Sequence, residues 1–99
     1  MRHFLVYTVA VLPEGDHPEL EALRRGEVER AHELQRDGTV VALWREAGRL
    51  ASFGIWRGVD AGDVRAQISS LPLHRYMTVT ITELHRHPNS LDPFPFGEA

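Results

Sequence analysis

Two periods of hydrophobicity alternate along the chain. From His3 to Val11, the set Leu5, Tyr7, Val9 and Val11 faces one way and Phe4, Val6, Thr8 and Ala10 the other. This segment reads as a strand largely covered on both faces. Leu12-Pro13-Glu14-Gly15-Asp16 carries turn chemistry. From Pro18 to Gly38 the period becomes helical, with His17-Pro18 at the start and Asp37-Gly38 at the stop. At roughly 100° per residue, Leu20, Leu23, Ala31 and Leu34 project within about a quarter-turn of one another. Thr39 to Trp44 returns to strand composition, Glu46-Ala47-Gly48-Arg49 reads as a hairpin turn, and Leu50 to Trp56 is a third strand. Asp60 can cap a second, shorter helix from Ala61 to about Ser70, whose apolar face is Val64, Ile68 and Leu71. Leu71-Pro72-Leu73 ends it. In Tyr76 to Leu84, Met77, Val79 and Ile81 alternate with Thr78, Thr80 and Thr82, the clearest strand of the chain.

The order strand, helix, strand, strand, helix, strand is the split βαβ pattern of ferredoxin-like α+β folds. It predicts one domain over residues 1–84, an antiparallel sheet with both helices on one face. The other face is then wet or covered by another subunit. Residues 85–99 form a C-terminal tail with three prolines and two phenylalanines. It cannot build a core of its own, so Phe94 and Phe96 are expected to dock on a neighbouring subunit.

One residue breaks the helical pattern. Glu27 projects at the centre of the apolar fan, whereas Glu21, Glu29, Glu33 and Asp37 fall elsewhere on the wheel. A carboxylate facing a core must lose its charge, find a partner or do chemistry. Two roles are open to it. Glu27 is a general base whose pKa is raised by apolar surroundings, or it is a structural carboxylate paired with an arginine such as Arg45.

Composition narrows the chemistry further. Ninety-nine residues with 42% hydrophobic and 25% charged content describe one ordinary globular domain. A net charge of −3 with no basic run argues against nucleic acid. No apolar stretch is long enough to cross a membrane. Met1-Arg2-His3 runs straight into a strand, so no signal peptide is expected and a cytoplasmic location is the default. There is no cysteine, which removes disulfide, thiolate and iron–sulfur chemistry. All eleven basic residues are arginine, which removes Schiff-base lysine chemistry.

Other candidates are weaker. His85 and His87 share a strand-like face with His74 nearby, but without a cysteine or a nearby carboxylate a metal site is not expected. Trp44, Trp56, Phe53 and Tyr76 could wall an apolar pocket or be simple core. The Tyr76 hydroxyl could reach an oxyanion or merely anchor the strand. No phosphate loop, nucleotide fingerprint or Ser-His-Asp arrangement is recognisable, so no organic cofactor is expected.

Several segments together resemble the muconolactone isomerases, small bacterial enzymes of aromatic catabolism. They are Leu34-Gln35-Arg36, Leu43-Trp44-Arg45 with Ala47-Gly48, Leu71-Pro72-Leu73 with Tyr76-Met77, and His87-Pro88-Asn89-Ser90. The resemblance spans nearly the whole chain. It implies a ferredoxin-like fold, assembly through dimers into a decamer, and no metal or organic cofactor. It further implies a proton shift that turns muconolactone into 3-oxoadipate enol-lactone in the β-ketoadipate pathway. Glu27 matches the family's proposed proton carrier. Arg45 also matches, and is the first candidate for binding the substrate's carboxylate; its alternative role is a structural pair with Glu27 or Glu46. Tyr76, Trp44, Ser52 and His74 complete the expected substrate-binding set.

The chain departs from the family in three places. Val40-Val41-Ala42 stands where Trp-Arg-His is common, Ser52-Phe53-Gly54 where Asn-Tyr-Ser is common, and His74-Arg75 where Phe-Pro is common. If these residues line the pocket, one wall is less polar, and His74 and Arg75 could restore charge from another direction. Two further readings therefore stand beside the isomerase: a relative acting on a larger, less polar lactone or enone, and a non-catalytic small-ligand-binding or assembly protein with Glu27 locked in an ion pair.

Overall fold

The computed structural model describes residues 1–96; residues 97–99 of the expected tail lie outside the described residues. Strand β1 runs Arg2–Ala10, helix α1 Glu19–Arg36, β2 Val40–Arg45, β3 Ala51–Gly58, helix α2 Ala61–Ser69 and β4 Met77–Leu84, with one 3-10 turn at His74–Tyr76. The strands form one antiparallel sheet in the order β2-β3-β1-β4. This is the ferredoxin-like βαββαβ arrangement expected from the alternation of periods. The element ends shift by only one or two residues from the expected ones.

The register fixes which side chains share a face. Phe4 pairs with Trp56, Val6 with Gly54 and Thr8 with Ser52, while Val6 and Thr8 pair with Ile81 and Val79 on the other flank. This row faces the helices. Phe4, Val6, Leu34, Val40, Trp56, Val64, Ile68 and Leu71 form the core, with Met77, Val79 and Ile81 packed against it. Of the four-residue fan on α1, Leu34 is fully buried and Leu20, Leu23 and Ala31 are half-buried. The fan therefore faces the sheet, but its N-terminal half sits over open space.

A bulge in β2 sets the facing of that strand's side chains. Val40 pairs with Trp56 but Ala42 pairs with Ile55, so Val41 is the extra residue. Without it Val40 and Leu43 would point to opposite faces. With it both lie on the helix side, as does Arg45, which pairs with Ser52.

Asp60 caps α2, its Oδ1 accepting from the Asp63 N–H at 2.8 Å, while Asp63 Oδ2 accepts from the Val59 N–H at 2.9 Å. Asp60→Ala should cost about 1 kcal/mol of stability, the usual worth of such a cap. A urea titration should read it as a lower midpoint with an unchanged slope.

The open face carries a second aromatic row. Tyr7 stacks on Phe53 with ring centroids 4.5 Å apart. The Tyr7 hydroxyl donates to Glu46 Oε1 at 2.7 Å, and Arg49 closes the group from both sides. The tail folds back across this face. Phe96 meets Trp44 edge-on at 6.5 Å, its carbonyl lies 3.0 Å from His3 Nε2, and Phe94 packs between Phe96 and the Arg86 guanidinium.

Candidate active site

Helix α1 crosses the β2 edge of the sheet and leaves two adjoining hollows beneath it. The inner one is a small cavity of about 70 Å³ between the helix and the β2-β3-β1 strands. Its walls are apolar, chiefly Val6, Leu34, Val40, Leu43 and Trp56. The outer one is an open groove of about 580 Å³ that carries Arg24, Arg45 and Trp44. Glu27, Thr8, Ser52, Ala31, Leu43 and Met77 border both hollows, so they form the throat between them.

Glu27 holds that position through a backbone contact. Gly26 lets α1 approach the Leu71-Pro72-Leu73 turn so closely that a Cβ at 26 would stand 3.2 Å from Pro72 Cγ. This close approach explains a glycine inside a helix, where it costs about 1 kcal/mol relative to alanine. The turn then presents the Leu73 N–H to Glu27 Oε1 at 2.9 Å. Among the described residues, no arginine or histidine lies within 4 Å of the Glu27 carboxylate. Desolvation dominates its titration. Burial raises the Glu27 pKa above the ordinary carboxylate value of 4.5, and the Leu73 N–H only partly opposes it.

The locked ion pair proposed for Glu27 is therefore absent among the described residues. Glu46, the other suggested partner of Arg45, is engaged instead with Arg49 and the Tyr7 hydroxyl. Arg45 lines the groove without an ion pair among the described residues.

The structure brings together Glu27, Arg45, Ser52 and Trp44. Trp44 contributes only at the rim, because its pairing with Phe53 turns the ring toward Phe96 on the open face. His74 and Tyr76 line neither hollow. The 3-10 turn carries them past the site, and the Arg75 guanidinium lies 5.8 Å over the Tyr76 ring. His85 bonds Glu83 at 2.8 Å and His87 Nδ1 accepts from the Asn89 N–H at 3.0 Å. Among the described residues no cluster of three or more His, Cys, Asp or Glu is placed to hold a metal.

Two site residues were not singled out from the sequence. Arg24 precedes Glu27 by three residues, so both fall on one helix face, a signal that was available. Thr8 is a buried polar residue in the row of Phe4 and Val6, and its Oγ1 lies 2.7 Å from Ser52 Oγ. One proton fills that contact, which leaves the other hydroxyl proton free to donate into the throat.

Comparison with known proteins agrees over nearly the whole chain. The family model for muconolactone delta-isomerase matches residues 1–90. The muconolactone delta-isomerase of Pseudomonas putida is 36% identical over 87 residues, covering 85% of this chain and 88% of its own. That of Pseudomonas aeruginosa is 34% identical over 84 residues with the same shares covered. That of Cupriavidus pinatubonensis is 31% identical, covering 89% of this chain and 97% of its own. A crystal structure of muconolactone isomerase superposes with a TM-score of 0.84 at 32% identity, covering 93% of this chain and 97% of that one. No helix among the described residues is long and apolar enough to cross a membrane. With family model, relatives and fold in agreement, the chain belongs to the muconolactone delta-isomerase family.

Proposed function

We propose that this protein is a cofactor-independent isomerase that moves the ring double bond of muconolactone by proton transfer, giving 3-oxoadipate enol-lactone. The observation that carries the reading is Glu27: a half-buried carboxylate at the throat of a largely apolar cleft, held by one backbone N–H and by no cation among the described residues.

The reaction needs three things that this cleft can supply. Glu27 takes the proton from the ring carbon that bears the carboxymethyl arm. The electron pair of that C–H bond enters the ring and leaves a dienolate with its charge on the carbonyl oxygen. Glu27 then returns the proton to the carbon beside the carbonyl, which restores the carboxylate and completes the isomer. The two carbons are separated by one ring carbon, so a single carboxylate can reach both. The Thr8–Ser52 hydroxyl pair can donate to the developing oxyanion. Arg45, with Arg24 beside it in the groove, can bind the substrate's own carboxylate. The apolar wall keeps the base dry and its pKa high.

The reading includes a cytoplasmic setting and self-association, in which a second copy would cover the half-buried Leu5, Tyr7 and Val9 beside the folded-back tail. Incubation of the purified protein with muconolactone, followed by ultraviolet absorbance, tests the activity. The rate should fall as pH drops through the Glu27 pKa, because only the carboxylate is a base. That acid limb should lie above 4.5, the direction set by burial. An unchanged spectrum at every pH would reject the reading.

A further inference from the structure

The inner hollow is small and almost wholly apolar, and it lies beyond the throat at which Glu27 stands. On the isomerase reading, a small anionic lactone with its arm toward Arg24 and Arg45 and its ring beside Glu27 would occupy the groove and the throat, whose lining includes all three residues. Behind it lies the chamber walled by Val6, Leu34, Val40, Leu43 and Trp56, with no charged side chain but Glu27 at its border. Two local features shape its walls. The bulge at Val41 turns both Val40 and Leu43 toward the helix side. Gly54 lines the chamber, and a Cβ there would stand 2.8 Å from Trp56 Nε1 and 3.4 Å from Leu43 Cδ1. Any side chain at 54 would have to displace the indole.

We infer that this chamber is a pocket for a small alkyl group, so that the substrate class includes muconolactones alkylated on the ring carbon beside the carbonyl. This inference rests on the isomerase reading of the same cleft. On a five-membered ring that carbon lies nearly opposite the one bearing the carboxymethyl arm. With the arm in the groove, a substituent there points into the chamber while the carbonyl remains beside Thr8 and Ser52. The substituted carbon still accepts the returning proton, so the reaction balances as before. Burial of each methylene in an apolar chamber is worth about 0.8 kcal/mol, or roughly a fourfold gain in kcat/KM at about 1.4 kcal/mol per tenfold.

The test is a comparison of kcat/KM for muconolactone and its methyl and ethyl derivatives at that carbon. The wild-type protein should favour the alkylated substrates by roughly fourfold per carbon, with the gain chiefly in KM. Gly54→Ala should lower the ratio of alkylated to plain substrate, and Leu43→Ala, at a position 45% exposed, should shift the preference toward the longer group. The wild-type ratio decides the matter even if the glycine variant does not fold. Turnover of muconolactone with rejection of both derivatives would overturn the alkyl pocket and leave the isomerase standing. No turnover of any of the three would overturn both.

Discussion

Glu27→Gln should lower kcat by between about a hundredfold and ten thousandfold, the usual range for a lost general acid–base, while the fold survives. The amide oxygen can still accept from the Leu73 N–H that now meets Glu27 Oε1. What the amide cannot do is take up and return a proton. Stability should change in a way that separates the two effects. Burial raises the folded-state pKa of Glu27 above 4.5, so the folded chain holds this proton more tightly than the unfolded one. Stability therefore declines as pH rises from about that ordinary value through the raised pKa. Glu27→Gln should remove this contribution. Denaturation midpoints across that window, measured beside steady-state rates, check both statements. A variant that loses stability at every pH and unfolds would instead assign Glu27 a packing role.

Arg45→Leu should lower kcat/KM by about ten- to a hundredfold, the equivalent of one charge-assisted hydrogen bond worth roughly 1.5–3 kcal/mol. Most of the loss should fall on KM. The substrate's carboxylate keeps its charge from ground state to transition state, so an arginine that binds it contributes nearly uniform binding. Arg45 has no ion-pair partner to release among the described residues, and its replacement leaves no buried charge behind. Arg24→Leu should act in the same sense, and the double variant should exceed either single one. Initial rates over a range of muconolactone concentrations separate the two constants. A loss confined to kcat would place Arg45 against the reacting ring rather than the arm.

How much of this was legible in the sequence depended on whether a local rule governed it. The fan of Leu20, Leu23, Ala31 and Leu34 follows from helical periodicity alone, and it placed Glu27 over the sheet correctly. Asp60 followed from capping chemistry. The bulge at Val41 did not, because nothing in Thr39-Val40-Val41-Ala42 departs from strand composition. That one extra residue decides which of Leu43, Trp44 and Arg45 faces the cleft, and it is why Trp44 reaches only the rim. His74 and Tyr76 were expected to bind substrate from their place in a matching segment, yet the 3-10 turn carries them past both hollows. The Leu73 N–H donor to Glu27 is a long-range backbone contact without a sequence signature, although Gly26 is its indirect trace. Thr8 was read as an ordinary strand residue, because its meaning depends on pairing with Ser52 across the sheet.

The most direct test is proton exchange into the product in deuterium oxide, followed by proton magnetic resonance. The wild-type protein should move hydrogen from the arm-bearing ring carbon to the carbon beside the carbonyl, with deuterium entering there only as far as the Glu27 carboxyl exchanges with solvent before the return step, and Glu27→Gln should leave the substrate unconverted and undeuterated over the same interval. Exchange by the glutamine variant at the wild-type rate would contradict the assignment of Glu27 as the proton carrier.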